Sequence, residues 1–226
     1  MNILDNKVVI LCGGRGTRIK KFRKKVPKPL IKIKNKTILQ RIIKIYANQG
    51  FKNFLILTGY KNTSFNNFFV KGNLNIKFIN TGIDTGTAER LYKIRRFIKN
   101  EDFFLTYGDT IGDFKLANVI KIKNKKFLIS LTSFPFYLDK GIITCNKKKY
   151  LSGFFEKNYK FNFNSGYYFI KKEFFKILKK KDVSLENDVL PRLVKKNLVI
   201  ISQELKNWLP IDTKDDYYLA RRFIKY

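Results

Sequence analysis

The chain has 226 residues, of which 44% are hydrophobic, and it carries 48 Lys and Arg against 17 Asp and Glu. This length supports one sizeable core, so we predict a single domain over residues 1–226. The sequence has no histidine and only two cysteines, Cys12 and Cys145. These counts exclude a disulfide framework, Ser-His or Cys-His nucleophilic chemistry and an imidazole metal site. A bound metal would therefore be a hard cation held by carboxylates.

The net charge of +31 indicates anionic partners such as nucleotides, nucleic acid or an acidic surface. The lysines are spread along the chain, so we attribute most of this charge to compositional drift. A basic nucleic-acid-binding protein is the weaker alternative, because the aromatic residues fall mainly within apolar strands and helices. The cysteine usage, the missing signal-peptide pattern and the lack of a membrane-length apolar run predict a cytoplasmic protein with no membrane partner.

A glycine-rich turn follows the first predicted strand, residues 8–12. Its glycines let the backbone turn sharply and point N–H groups at a ligand; they are Gly13, Gly14 and Gly16. Arg18 and Lys28 follow closely, and cations beside N–H donors are what a polyphosphate requires. The turn matches neither a Walker loop nor a dinucleotide fingerprint. A strand-to-helix turn with a solvated basic face is the simpler alternative.

Apolar periodicity predicts alternating strands and helices through the first half of the chain. The predicted strands are 8–12, 54–57, 76–79 and 103–105, and the helices between them are one from Thr37, 64–69 and 88–98. This alternation favours an α/β fold with a mostly parallel central sheet flanked by helices. Ligands of such sheets bind beyond the carboxyl ends of the strands, where the glycine-rich turn and Asp109 both fall.

The pattern changes in the second half, where strand-like segments predict a small antiparallel addition that walls the site. The predicted strands are 127–134, 141–145, 151–156, 161–170 and 198–202, and the helices are 116–122, 172–179, 188–195 and 213–223.

Two carboxylates are candidates for chemistry. Asp109 follows a buried strand and Gly108, and Asp212 lies just before the last predicted helix. The simpler alternatives are a turn aspartate and a helix cap. Because histidine is absent, a pair of carboxylates suits Mg²⁺ that bridges phosphate oxygens.

The motifs together resemble the sugar-phosphate nucleotidyltransferase family, and most of all its glucose-1-phosphate cytidylyltransferases. The matching segments run in order from residue 8 to about residue 219: Gly13-Gly14-Arg15-Gly16-Thr17-Arg18, Pro27-Lys28-Pro29-Leu30, Thr58-Gly59-Tyr60-Lys61, Thr81-Gly82 with Thr85, Thr87, Arg90 and Leu91, Phe104 to Asp109, Gly153 to Lys157, Asn164-Ser165-Gly166, and Ile211-Asp212-Thr213. Ala88-Glu89 stands where the family has two glycines, so the nucleobase is left open.

This resemblance implies transfer of a nucleoside monophosphate from an NTP, by preference CTP, to a sugar 1-phosphate such as glucose 1-phosphate, with Mg²⁺ as cofactor. It implies that Arg18, Lys28 and Asp109 are catalytic and that Asp109 and Asp212 bind the metal. The implied nucleotide-binding residues are Leu11, Cys12, Gly13, Gly14, Arg15, Gly16, Thr17, Arg18, Lys28, Thr85, Thr87, Arg90 and Gly108, and the implied sugar-binding residues are Glu156, Lys157, Asn164 and Gly166.

Two further alternatives stay open at this point. Another base or another phosphorylated acceptor, such as a heptose or a choline-like phosphate, would keep the reaction class. A nucleotide-sensing pseudoenzyme is disfavoured because Asp109, Asp212 and Lys28 are intact. A homo-oligomer is compatible with all of these interpretations.

Overall fold

The computed structural model describes residues 2–20, 26–98, 100–122, 126–156 and 159–224. Its strands are β1 (Val8–Leu11), β2 (Lys32–Ile33), β3 (Lys36–Thr37), β4 (Asn53–Thr58), β5 (Asn75–Asn80), β6 (Phe103–Tyr107), β7 (Thr110–Gly112), β8 (Ile129–Leu138), β9 (Ile142–Cys145), β10 (Leu151–Phe155), β11 (Tyr159–Ile170), β12 (Val199–Glu204) and β13 (Trp208–Pro210). Its α-helices are α1 (Thr17–Lys20), α2 (Ile38–Ala47), α3 (Thr87–Ile98), α4 (Leu116–Lys121), α5 (Phe174–Ile177), α6 (Leu190–Val194) and α7 (Lys214–Phe223).

A seven-stranded sheet in the order β12-β8-β11-β6-β1-β4-β5 forms the centre of the molecule. β1 pairs in parallel with β4 and β6, β4 with β5, and β8 with β12. β11 runs antiparallel to its neighbours β6 and β8. The predicted mostly parallel α/β sheet is therefore confirmed, and β11 is its antiparallel member.

Both faces of the sheet are buried. Successive residues of a strand point to opposite faces, so neighbouring residues of β1 belong to different core clusters. Val8 and Ile10 belong to one core cluster, together with the apolar side of α2. Val9 belongs to the other cluster, together with the apolar side of α3. The two layers of helices leave the carboxyl edge of the parallel strands as the accessible end of the sheet.

Three small antiparallel pairs surround the sheet: β2 with β3, β9 with β10, and β7 with β13. The β9–β10 pair and the antiparallel pairing of β11 with β8 confirm the predicted antiparallel addition. The β7–β13 pair matters most for the site, because it joins a segment that follows Asp109 to one that precedes Asp212. The backbone N–H of Ile211 also donates to the Asp109 carbonyl at 3.0 Å.

Several predicted elements are wrong in extent or kind. The helix predicted over 64–69 is a 3-10 turn, Asn62–Phe65, because its Asn, Ser and Thr side chains favour turns and only Phe65 is buried. The helix predicted over 172–179 is the single turn Phe174–Ile177, in which only Phe174 is buried. β7 and β13 were not predicted, since three-residue strands carry too little periodicity to detect.

No helix in the described ranges has both the length and the apolar character that crossing a bilayer requires.

Candidate active site

A cleft of about 690 Å³ opens at the carboxyl ends of β1 and β6. It brings together most of the residues predicted for the site: Leu11, Cys12, Gly13, Gly14, Gly16, Thr17, Arg18, Lys28, Thr85, Thr87, Arg90, Gly108, Asp109, Asn164 and Asp212. Its volume is within the range usual for small-molecule sites. Residues up to 200 positions apart in the sequence thus converge on one cavity.

Of the predicted site residues that the structure describes, three do not line this cleft. Arg15 pairs with Asp84, with 2.7 Å between its Nη2 and a carboxylate oxygen. Gly166 packs against Tyr107, so that a Cβ at this position would lie 2.6 Å from the tyrosine ring. Glu156 is exposed at the end of β10. Lys157 lies outside the described residues. The roles predicted for these four residues stay predictions.

The glycine-rich loop has one closed side and one open side. A Cβ at Gly13 would lie 2.1 Å from Nη1 of Arg90, so this position requires glycine. A Cβ at Gly14 would meet nothing within 4 Å, and Gly14 lines the cleft. The loop therefore presents bare backbone to the cavity at Gly14, as a phosphate-binding loop does.

Arg90 holds this loop in place through hydrogen bonds from its guanidinium. Its guanidinium is buried and donates to the carbonyl oxygens of Thr58 at 3.0 Å and Gly13 at 3.1 Å, and also to the Thr81 hydroxyl. Burial lowers the pKa of Arg90. Because its donors bind protein oxygens on three segments, Arg90 positions the loops that carry Gly13, Thr58 and Thr81.

Four charged side chains meet in the cleft: Arg18, Lys28, Asp109 and Asp212. Nζ of Lys28 lies 2.8 Å from Oδ2 of Asp109 and 2.6 Å from Oδ1 of Asp212. Arg18 reaches the same Asp212 oxygen at 3.0 Å. The side chain of Lys28 is only 8% exposed, whereas Arg18 is 71% exposed. The two carboxylates thus converge, and a buried ammonium lies between them.

The local fold explains this geometry. Asp109 follows β6 in the turn that leads into β7. Asp212 follows β13, whose Pro210 pairs with Thr110 at the start of β7. Lys28 lies between two prolines in a 3-10 turn, and Gly16 packs against its stem. Pairing of two short strands thus joins segments that are a hundred residues apart.

The donor chemistry of this centre suits a divalent metal. No cluster of three or more ligating side chains occurs in the part of the chain that the structure describes. Mg²⁺ commonly takes one or two protein carboxylates and completes its shell with substrate phosphates and water. Asp109 and Asp212, both partly exposed, fit this arrangement.

A hydrogen-bonded carboxylate, Glu186, also lines the cleft. It accepts from the hydroxyls of Tyr107, of Thr87 at 2.7 Å and of Ser184 at 2.9 Å. Tyr107 also bonds the Tyr168 hydroxyl at 2.7 Å. Burial, together with the nearby Tyr168 and Glu186, raises the pKa of Tyr107 well above its usual value. The Tyr107 hydroxyl therefore stays protonated and serves as a fixed donor.

Sequence reasoning missed Glu186, Tyr107 and Trp208, all of which line the cleft. Glu186 lies on the π-helical turn Leu185–Val189, which no pattern in the sequence predicts. Its only signal is an acidic residue before a predicted helix in a chain with few acids. The Trp208 indole donates to the Ser165 carbonyl at 3.1 Å and forms an apolar wall of the cleft.

Cys12 lines the cleft but is buried and does no acid–base work there. Burial and the charge of Asp109 raise the pKa of its thiol well above the ordinary value. Its sulfur packs against Gly108, because a Cβ on Gly108 would lie only 2.6 Å from Sγ. Cys12 is therefore a packing residue between the loop and β6.

A parallel sheet that gathers a bare glycine-rich loop, cations and paired carboxylates in one cleft defines an enzyme that transfers phosphorylated groups. The chain belongs to the nucleotidyl transferase family, whose sequence model matches residues 7–226. The resemblance found in the motifs is thereby confirmed, and the protein is a nucleotidyltransferase.

Similarity to individual proteins supports this membership. A probable glucose-1-phosphate cytidylyltransferase from Bacillus subtilis is 30% identical, covering 92% of this chain and 91% of that protein. A D-glycero-alpha-D-manno-heptose 1-phosphate guanylyltransferase from Campylobacter jejuni is also 30% identical, covering 75% of this chain and 77% of that protein. HddC from Yersinia pseudotuberculosis complexed with GMP-PN shares the fold, with a TM-score of 0.75, 23% identity and coverage of 97% of this chain and 100% of that chain.

Proposed function

We propose that the enzyme transfers a cytidylyl group from CTP to glucose 1-phosphate and releases pyrophosphate. The observation that carries the reaction is the convergence of Lys28, Asp109 and Asp212 beside the bare backbone of Gly14. The choice of substrates rests on the Bacillus subtilis relative, whose similarity spans nearly the whole of both chains. The free thiols of Cys12 and Cys145 suit a reducing compartment, so we assign the reaction to the cytoplasm.

In this proposal the glycine-rich loop binds the triphosphate and the loop before α3 lies beside the base. Gly14 offers N–H groups without a side chain in the way, and Arg18 and Lys28 supply positive charge. Thr85 reaches the Thr81 carbonyl at 2.7 Å, which orders the segment that resembles the cytidylyltransferases. Thr87, which the resemblance assigns to the nucleotide, instead donates its hydroxyl to Glu186 on the acceptor side.

The sugar phosphate would occupy the side lined by Asn164 and Glu186. Sugar hydroxyls need oriented acceptors and donors, and this wall offers a carboxylate, an amide and the Tyr107 hydroxyl. Asn164 is itself oriented by a bond from its amide to the Tyr168 hydroxyl. These partners hold the side chains in place before the acceptor binds.

The transfer requires no nucleophile from the protein. A phosphate oxygen of the acceptor attacks the α-phosphorus of the NTP, and the bond to the bridging oxygen of the β-phosphate breaks. Pyrophosphate leaves with that electron pair. Arg18 and Lys28 neutralise the charge on the phosphates and hold the reactants in line. When bound by Asp109 and Asp212, Mg²⁺ would supply further neutralisation of charge.

The best-supported second candidate is a guanylyltransferase for a heptose 1-phosphate. The Campylobacter jejuni relative carries that activity in its name and equals the first relative in identity, although it covers less of the chain. Both candidates use the same phosphate and carboxylate residues and differ in the base and sugar.

Pyrophosphate release measured for four NTPs against a panel of sugar 1-phosphates tests the proposal. The panel includes glucose 1-phosphate and a heptose 1-phosphate. We expect the highest turnover with CTP and glucose 1-phosphate. Preference for GTP with the heptose would select the second candidate, and comparable or faster turnover with UTP or dTTP would contradict the cytidylyl assignment.

A further inference from the structure

We propose that Lys28 is an exchangeable counter-ion that keeps metal out of the Asp109–Asp212 pair until phosphate draws its ammonium away. The inference deepens the proposed function and rests on it, because the phosphate is that of the NTP. It assigns Lys28 a second task besides binding phosphate, namely to make metal entry depend on nucleotide.

The Lys28 ammonium already occupies the position between the two carboxylates. The Lys28 ammonium bonds one oxygen of each carboxylate, at 2.8 Å for Asp109 and 2.6 Å for Asp212. Asp109 and Asp212 would hold Mg²⁺ through the same two carboxylates that bond this ammonium. An ammonium and a dication repel each other strongly at such distances. Metal and Lys28 therefore compete for the same pair of acceptors.

Displacing the Lys28 ammonium from the two carboxylates is unfavourable because Lys28 is buried. Its side chain is 8% exposed, whereas Asp109 is 38% and Asp212 is 28% exposed. Metal can approach the carboxylates from the cleft, but the displaced ammonium cannot reach bulk water easily. A buried charge without a partner is strongly unfavourable. A phosphate in the cleft provides the replacement partner, because Lys28 lines the same cavity as Gly14.

Arg18 cannot replace Lys28 in this role. It pairs with Asp212 and is 71% exposed, so water can solvate its guanidinium when the contact breaks. The dependence of metal binding on nucleotide should therefore reside in Lys28, and by thermodynamic linkage the metal should strengthen nucleotide binding by the same factor.

Binding of Mn²⁺ to the full chain without nucleotide, followed by electron paramagnetic resonance, tests the inference. We expect weak binding by the unaltered protein and tighter binding by Lys28→Met, by a factor in the range of about 5–150 that is typical of coupled sites. Adding Asp109→Asn to Lys28→Met should remove the gain. Lys7→Met is the matched control, because it removes a lysine paired with Glu101 that does not line the cleft.

Equal Mn²⁺ affinity of the unaltered protein and Lys28→Met would overturn the inference, as would no binding by either. If Lys28→Met does not fold by circular dichroism, Lys28→Gln provides the same comparison. The readout uses neither nucleotide nor acceptor, so its failure is distinct from that of the proposed function. Absence of pyrophosphate release with every substrate pair would refute the latter only.

Discussion

At the level of single residues, Gly14 offers the cleanest test of the nucleotide half of the cleft. Gly14→Val should weaken NTP binding, because its side chain would enter the open space over the loop, where a Cβ meets no protein atom within 4 Å. The fold should survive for the same reason. Isothermal titration with a non-hydrolysable NTP analogue measures the effect. Gly141→Val, outside the cleft, is the control, and unchanged affinity of a folded Gly14→Val variant would refute the assignment of the loop.

Glu186 allows a second test, on the acceptor side. Glu186→Gln keeps the shape but places an amide among three hydroxyl donors, from Tyr107, Thr87 and Ser184. Hydrogen bonds to charged groups contribute about 1.5–3 kcal/mol, so we expect KM for the sugar 1-phosphate to rise roughly 10–100-fold. KM for the NTP should change little. Glu204→Gln, at an exposed pair with Lys160, is the control, and equal rises in both KM values would contradict an acceptor role.

The sequence predicted some of these residues and missed others for identifiable reasons. Asp109 and the glycine-rich loop follow parallel strands, so the ends of those strands place them together. Asp212 was a candidate because it is a carboxylate just before the last predicted helix, and the resemblance of its motif to the family assigned it to the metal. Glu186 belongs to a π-helical turn with no local signature, and its place in the cleft depends on packing against α3. Tertiary contacts of this kind leave no periodic signal in the chain.

At the level of elements, the start of α7 positions Asp212. Thr213 is the N-cap, and Asp216 accepts from the backbone N–H groups of Asp212 at 2.9 Å and Thr213 at 2.8 Å. Loss of a cap costs about 1 kcal/mol, so in a chain of this length Asp216→Ala should lower Tm by about 2–4 °C. Turnover should fall as well, because the backbone that carries the carboxylate is released.

Asp215→Ala provides the matched control for this prediction. Asp215 also lies in the first turn of α7 but takes no part in the capping box. It should leave turnover close to that of the unaltered enzyme. A loss of Tm in Asp216→Ala without any loss of turnover would show that the cap stabilises the helix but does not position Asp212.

Capping signals also decided which elements the sequence could predict. The helix predicted from Thr37 is α2, and Thr37 and Gln40 form a capping box there. The last helix was predicted from Thr213, one residue before α7 begins. The helix predicted over 64–69 had no such start, since Lys61 precedes the turn in a left-handed conformation. Local backbone chemistry was informative where a cap and an apolar face coincided.

At the level of the whole molecule, the charge of +31 needs an explanation that the cleft does not supply. If compositional drift is the main cause, duplex DNA should bind weakly, and its affinity should fall steeply with salt concentration, because only phosphate contacts contribute. Fluorescence anisotropy with unrelated duplexes between low and physiological salt measures this. Tight, sequence-selective binding at physiological salt would favour the nucleic-acid-binding alternative instead.

Catalysis in this enzyme depends most on the carboxylate pair around Lys28 if the proposed function is right, and turnover of Asp109→Asn and Asp212→Asn tests this directly. The measurement is steady-state pyrophosphate release at saturating Mg²⁺, with the best substrate pair and with Tm recorded for each variant. We expect kcat to fall by at least about a hundredfold, since loss of a group that neutralises charge in the transition state has effects of this size. Tm should change little, because both carboxylates are partly exposed in the cleft. Near-normal turnover by either variant would contradict the assignment of the pair as the catalytic centre.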